Sequence, residues 1–483
     1  MPLKVVCLAQ PYYRLHGSHN NRLHLGLHYL AEVLKREGVD ASVYNGDFEP
    51  GDEYADWPSI MRNAWNWSSA VEHGHPLFWE IAQSIAQLAP DVVIIAAGET
   101  VTPTLNNGSV RGAARLAQAM KRLMPDLKVI GYGPQFTFAE VVPPEIDYVL
   151  RFEGEAKLAG CEYSTVGRLV RHAWGDGDQR VWDGGLVPKE QMDDLPFLDP
   201  ETVDVRTRPA PHDLDYISGS RGCLFTCHYC LVPNFAGKTR YMSPERYVAE
   251  MEHRYKRYGV TGLYFCDQTF TENKARLQEL MNTMCDRSRL PPEFKWWAEA
   301  RVETLDPAMY WDMHVSGCSS LKIGIEAGDP EMLSWFGKKT NLDRARDKIR
   351  KLKEFDIKPV VYVLLGTPGV TRENYLRSLE FMRSLEAQYY VVNITTAARG
   401  TKMFDKVRPE LEAAGLYRAG EEEGFGHLSQ EMRKFWNLDD DIVDLFFGLV
   451  KGSDKEDAAL RKYRPKLLTK PRTFFLNERQ EIP

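Results

Sequence analysis

Strand-like and helix-like segments alternate along this chain in two successive series, and this alternation restricts the fold more than any other feature. Strands joined through helices pair in parallel, with the helices laid over the sheet faces. The first series runs from the strand Leu3 to Leu8 through an amphipathic helix at Leu25 to Arg36 to a strand at Ala41 to Tyr44. A helix from Phe78 to Leu88, the apolar strand Asp91 to Ala96 and a helix from Val110 to Leu123 follow. Strands at Leu127 to Gly131 and Ile146 to Leu150 close the series, the last followed by the polar stretch Arg151-Phe152-Glu153-Gly154-Glu155. The pattern predicts a doubly wound α/β sheet, which binds ligands beyond the carboxyl ends of its strands. Here those ends are the loops at Gln10 to Asn20, Gly98 to Asn107 and Gly133 to Thr137.

The second series starts near residue 213, with strands at Asp215 to Ser218, Gly262 to Cys266, Lys295 to Glu299, Ser320 to Ile325, Lys358 to Leu364 and Tyr389 to Ile394. Such a series reads as a partial (β/α)6 barrel. Between the two lies a stretch with Pro188, Pro196, Pro200, Pro209 and Pro211, which interrupts both helical and strand patterns. A chain of 483 residues exceeds what one core organises. The expected division is a Rossmann-like domain at 1–186, a linker at 187–212, the barrel at 213–402 and a helical extension at 403–483, in which Asp439 to Val450 is amphipathic.

The 61 Lys and Arg against 68 Asp and Glu leave a charge of -7, so no overall positive field draws the protein to nucleic acid or anionic lipid. No run approaches the 18 apolar residues of a membrane span, and Met1 to Gln10 lacks a signal-peptide layout. A cytoplasmic protein without nucleic-acid or membrane partners is expected. In such a reducing compartment, clustered cysteines read as metal or redox chemistry rather than as disulfides.

Three of the eight cysteines, Cys223, Cys227 and Cys230, share one loop after the first strand of the second series. Thiolates select zinc or iron–sulfur. A structural zinc site wants four ligands, and only His228 or a distant cysteine could complete it. Three cysteines on a four-iron cluster leave one iron open to a small molecule, and Gly219 and Gly222 let the loop wrap closely. Cluster, zinc and redox thiols all remain open at this level, with the cluster favoured. Cys7, Cys161, Cys266, Cys285 and Cys318 are scattered and read as small apolar side chains.

The run Cys223-Leu224-Phe225-Thr226-Cys227-His228-Tyr229-Cys230 resembles the C-x-x-x-C-x-x-C signature of the radical SAM superfamily, with Tyr229 as the aromatic before the last cysteine. The resemblance implies a 4Fe–4S cluster whose open iron chelates S-adenosylmethionine (SAM) and reduces it to a deoxyadenosyl radical. It extends over about residues 213–405. Tyr264 to Phe270 is similar to the second-strand motif, making Asp267 the candidate for the SAM amino group. Trp297-Ala298-Glu299-Ala300-Arg301 is similar to the third-strand motif, which implies Glu299 and Arg301 near the ribose and carboxylate. Gly324-Ile325-Glu326-Ala327-Gly328 resembles the fourth-strand phrase and turns Glu326 inward, and Leu365 to Gly369 resembles the turn after the fifth strand. Buried ion pairing is the competing reading for Glu299, Arg301 and Glu326.

A Rossmann-like domain ahead of such a barrel resembles the class whose first domain binds cobalamin, mostly methyltransferases. Members often carry a Gly-Gly-Pro turn for the corrin tail; this chain has Gly131-Tyr132-Gly133-Pro134, and Tyr132 crowds that approach. The combination is similar to the radical SAM diol dehydratases of aminoglycoside biosynthesis that act on paromamine. That resemblance implies an amino-sugar substrate, an electron donor such as flavodoxin or ferredoxin, and a separate ketone reductase. Tyr216, at the end of the first barrel strand, is the candidate proton-transfer group beside Glu326, with a core aromatic as its alternative. Cobalamin-dependent methyl transfer is the competing outcome. Asp312-Met313-His314-Val315-Ser316-Gly317 spells a cobalamin-ligating D-x-H-x-x-G but falls within the barrel, so it reads as coincidence. His16, His19, His24 and His28 read as helix-cap and surface histidines.

Overall fold

A computed structural model of the chain describes residues 2–12, 24–50, 66–105, 107–208, 215–417, 435–436 and 438–452. Six parallel strands build the amino-terminal sheet: β1 (Lys4–Ala9), β2 (Asp40–Asn45), β3 (Val92–Ala96), β4 (Lys128–Tyr132), β5 (Tyr148–Arg151) and β6 (Val181–Asp183). Their order is β2-β1-β3-β4-β5-β6, so the winding reverses between β1 and β3. Alternation along the strands sends side chains to two separate cores. Val5, Cys7, Ile94 and Ile130 meet Leu27, Leu30, Leu34, Leu169 and Val170 on one face. Val6, Leu8, Val93 and Ile95 meet Ile81, Ile85, Leu116 and Met120 on the other. The helix Leu25–Arg36 starts where the His24 ring accepts the Leu27 N–H and ends with Lys35 and Arg36 in its last turn. Strand β6 is unforeseen in the sequence because it is three residues long and carries no buried apolar run.

The second sheet comprises β7 (Tyr216–Ile217), β10 (Gly262–Phe265), β11 (Lys295–Arg301), β12 (Cys318–Glu326), β13 (Lys358–Leu365) and β14 (Tyr389–Ile394), all parallel, in the order β14-β13-β12-β11-β10-β7. Each strand lies where the periodicity puts it. A short antiparallel pair, β8 (Ser220–Arg221) and β9 (Arg240–Tyr241), brackets the cysteine loop. On β11, Trp296, Ala298 and Ala300 are buried among apolar side chains, with Trp296 stacked on Phe265 at 5.2 Å. Trp297, Glu299 and Arg301 therefore share the opposite face.

The proline-rich segment is less detached than a linker reads: Val203 bridges Val43 at the edge of β2, and Asp204 N–H donates to the Val43 carbonyl over 2.8 Å. His28 is a correction, since it is fully buried and not a surface group, with Nε2 2.6 Å from the Asp199 carbonyl. Of the expected extension, the helices Lys402–Ala413 and Asp440–Gly452 are described. Ile442, Val443 and Phe446 join the barrel core, and Trp436 donates Nε1–H to the Thr395 carbonyl over 2.8 Å. His16, His19, Pro209, Pro211, His212 and residues 453–483 lie outside the described residues.

Candidate active site

The cysteine loop leaves β8 through Gly222, whose φ of +87° and Cβ position, 2.5 Å from the Lys238 carbonyl oxygen, admit glycine alone without strain. Cys223 N–H then bonds the Gly237 carbonyl at 3.0 Å, closing the loop back on itself. Burial pushes the Cys230 thiol up to about 12 and moves Cys223 in the same direction, so these two hold their protons until a metal takes their place. None of the three is in a disulfide. Among the described residues no three His, Cys, Asp or Glu side chains converge as the ligands of a single metal ion do. His228 Nδ1 lies 2.7 Å from the Trp335 carbonyl oxygen, and its backbone N–H donates to the Phe336 carbonyl over 3.0 Å. Three soft donors on one loop, Cys227 buried and Cys223 and Cys230 partly so, fit an iron–sulfur cluster better than a closed four-ligand zinc site.

Barrel strands converge on this loop. Arg301 Nη1 stands 2.6 Å from Cys227 Sγ, and its guanidinium lies 4.0 Å from the Phe225 ring centroid. A fixed cation beside the thiolates offsets the negative charge of a thiolate-ligated cluster. Because Arg301 faces the cluster loop, Trp297 and Glu299 on the same face line the barrel interior. Tyr229 donates its hydroxyl to Glu326 Oε1 over 2.9 Å, and Lys338 Nζ reaches the same oxygen at 3.1 Å. Glu326 carries this out at φ +75°, where the β12–β13 register slips. A non-glycine residue held there stores strain of a kind that clusters at functional sites.

Asp267 follows the end of β10. It is buried, accepting from Ser220 Oγ at 2.5 Å, Tyr247 OH at 2.9 Å and Gly219 N–H at 3.2 Å. Its carboxylate thereby ties down the start of the cysteine loop. Glu299 accepts the Tyr264 hydroxyl in a short hydrogen bond. Tyr216 packs edge-on against Tyr264 at 5.1 Å, and the Lys322 ammonium lies 4.1 Å over the Tyr264 ring. Tyr216, Tyr264 and Trp297 join Leu25 and Tyr29 of the first domain in one apolar cluster, so the aromatic floor of the barrel abuts that domain. Lys338, Lys322 and Tyr264 escape sequence reasoning; only their strand parity or spacing to Glu326 could have marked them.

At the carboxyl edge of the first sheet, the described residues close over themselves. Glu99 Oε1 accepts the N–H groups of Gly26, Thr100 and Val101 at 2.9, 2.8 and 3.0 Å, while Oε2 meets His24 Nδ1 at 3.2 Å. A side-chain carboxylate thus occupies the helix N-terminus that would otherwise attract a ligand's anionic group. Tyr132 is fully buried, its hydroxyl 2.9 Å from Thr100 Oγ1 and 3.1 Å from the Glu153 carbonyl oxygen. Gln10 and Gln135 tie down the neighbouring loops through Ala96, Ser109, Leu105 and Gly108. Among the described residues this edge is filled by protein side chains; residues 13–23, in the loop after β1, lie outside the described residues. Asp312 and His314 lie within the helix Tyr310–Val315, whose Trp311 is 61% exposed, outside the barrel interior.

Residues 217–382 match the Radical SAM superfamily profile. An uncharacterised methyltransferase of Pyrococcus horikoshii is 25% identical over 342 residues, covering 68% of this chain and 72% of that protein. The anaerobic magnesium-protoporphyrin IX monomethyl ester cyclase of Cereibacter sphaeroides is 24% identical over 69% of this chain and 56% of its own length. The fold is similar to that of the radical S-adenosylmethionine methyltransferase TsrM from Kitasatospora setae, solved with cobalamin and a 4Fe–4S cluster, at a TM-score of 0.65 and 17% identity over 87% of this chain and 76% of that one. It is also similar to the cobalamin-dependent S-adenosylmethionine radical enzyme OxsB, at a TM-score of 0.59 and 12% identity over 89% of this chain and 63% of that one. With three thiols on a closed loop, a cation beside them and this profile over the same strands, the chain carries a radical SAM superfamily domain.

Proposed function

We propose that Cys223, Cys227 and Cys230 hold a 4Fe–4S cluster and that the chain uses SAM there to act on a small polar substrate in the barrel interior. The observation that carries this is the three-thiol loop with Arg301 on Cys227. When bound, the cluster supplies the electron that splits SAM into methionine and a radical. The residues of this chain do the rest: the Tyr229–Glu326–Lys338 array anchors the cysteine loop to β12, and the aromatic floor excludes water from the reacting centre. An electron donor of the flavodoxin or ferredoxin kind belongs to this reading.

Between the two outcomes for the substrate, methyl transfer has the better support from relatives, since a methyltransferase and cobalamin-bound folds are among them. One observation favours the second outcome, dehydration of a vicinal diol on a paromamine-like amino sugar: Glu99 and Tyr132 fill the edge at which cobalamin would enter. In that reaction the substrate radical would lose a hydroxyl proton, the neighbouring hydroxyl would leave with a proton as water, and the α-keto radical left behind would take one electron from the flavodoxin- or ferredoxin-type donor and one proton to become the deoxy ketone; Tyr216, Tyr264 and Glu299 are the proton-handling groups on the barrel floor. A ketone product would then require a separate reductase.

Anaerobic incubation of the reconstituted chain with SAM, reductant and paromamine, with and without hydroxocobalamin, tests both. Deoxyadenosine must form in either case. Loss of water from the sugar without cobalamin supports dehydration. A cobalamin-dependent gain of a methylene mass with S-adenosylhomocysteine supports methyl transfer.

A further inference from the structure

The loop that carries the three cysteines is held at both ends by cations that need counter-charges from elsewhere. Arg221 immediately precedes Gly222 and Cys223, and Arg240 stands directly opposite it across the β8–β9 pair. Two like charges facing each other on paired strands repel, and Arg221 is almost fully buried, so neither position is stable alone. The first domain supplies the partners. Glu153 accepts from Arg240 at both oxygens, at 2.7 and 2.8 Å, and lies 3.4 Å from Arg221 Nη1. Glu155 accepts Arg221 Nη2–H at 2.8 Å. The Tyr29 ring, also from the first domain, lies 4.9 Å from the Arg221 guanidinium.

The backbone presenting these acids is itself shaped for the task. Phe152 adopts φ +62° and Gly154 φ +94°, turning successive side chains toward the loop instead of continuing β5. The Phe152 N–H is caught by Thr137 Oγ1 at 3.0 Å, and Glu153 Oε2 also accepts the Val187 N–H at 2.6 Å. Strained backbone persists only where its surroundings over-determine it. Tyr132, the residue that fills the carboxyl edge of the first sheet, bonds the carbonyl of this same Glu153.

We infer that Glu153 and Glu155 are positioning residues for the cluster: they clamp both ends of the cysteine loop through Arg240 and Arg221 and so set the geometry of a site to which they contribute no ligand. The first domain then serves the radical chemistry as a scaffold for the cluster loop. This inference rests on the cluster assignment and on neither substrate outcome.

The test uses the full chain, reconstituted anaerobically with iron and sulfide, in Glu155→Gln and Arg240→Lys variants. Glu37→Gln is the control; Glu37 ties Ser164 N–H at 2.7 Å within the first domain and has no contact with the loop. Iron retained per chain under chelator challenge and the EPR spectrum of the reduced cluster are read, with circular dichroism to establish folding. E155Q and R240K are expected to lose iron about tenfold faster than wild type and to show altered g-values, the scale on which loss of groups that orient metal ligands is felt. E37Q is expected to keep both. Folded E155Q and R240K proteins with wild-type iron retention and spectra overturn the inference, as does an E37Q spectrum altered to the same degree. Should E155Q fail to fold, Glu155→Asp, which keeps the charge and shortens the reach, takes its place with the same readouts. A wild-type chain that takes up no cluster overturns the cluster assignment itself, a result distinct from all of these.

Discussion

Tyr229 and Glu326, 97 residues apart in the chain, are joined by a 2.9 Å hydrogen bond that ties the cysteine loop to the end of β12. Burial and the Glu326 carboxylate hold the Tyr229 hydroxyl well above its ordinary pKa, so it stays a donor. Lys338, also buried, completes the array at 3.1 Å. Replacing Tyr229 by Phe leaves the Glu326–Lys338 pair and is expected to cost about 1–2 kcal/mol. Replacing Glu326 by Ala strands a buried ammonium and is expected to cost about 3–5 kcal/mol. Denaturant unfolding of the two variants checks the ranking, and an E326A protein as stable as Y229F would contradict it.

Cys223→Ala, Cys227→Ala and Cys230→Ala are each expected to abolish deoxyadenosine formation and to reconstitute with far less iron than wild type. Gly222→Ala keeps every thiol but places a Cβ 2.5 Å from the Lys238 carbonyl oxygen at φ +87°. It is expected to lose iron to a chelator about tenfold faster than wild type. Retention equal to wild type would show that the loop closes by another route.

Tyr132→Phe removes the hydroxyl shared between Thr100 and Glu153 without changing the ring. A stability loss of about 1–3 kcal/mol is expected, because the buried Glu153 carbonyl loses its donor and the Thr100 hydroxyl its acceptor. Isothermal titration of wild type with hydroxocobalamin separates the two outcomes, and no tight binding would favour dehydration. Stoichiometric uptake would instead favour the methyl-transfer reading.

His28 provides a pH dependence. Its burial, against a small opposing contribution from the Asp199 carbonyl, lowers its pKa from 6.5 to about 4 in the folded chain. Between those values the unfolded chain binds the proton and the folded chain does not, so stability falls as pH drops from about 6.5 to about 4 and is unaffected by this group above that window. The full effect is about 3 kcal/mol. His28→Gln keeps a donor for the Asp199 carbonyl and is expected to flatten the acid limb of stability measured between pH 7 and pH 5; an unchanged limb would count against the assignment.

Both sheets are legible in the sequence because apolar strands and amphipathic helices need little more than their own periodicity to declare themselves. Val92 to Ala96 is buried throughout and reads so, whereas Val181 to Asp183 carries no such run and is held by pairing with β5 and by Trp182 against His172. The cysteine loop is legible because its three ligands are local. Asp267 is legible as a special position, but not its direction: the partners Ser220, Tyr247 and Gly219 lie 20 to 48 residues away. The Glu153–Arg221–Glu155–Arg240 network left only a trace, two acids at the end of a buried strand.

The order of residues alone determined the parallel architecture, the three thiols and the type of centre they can hold, since each depends on spacing within a few residues. Only tertiary structure decided which acids serve the loop, that His28 is buried, and that Glu99 and Tyr132 close the first sheet's edge. Those outcomes are set by charge compensation and burial between segments distant in sequence, and a buried charge takes whichever partner the fold brings within reach.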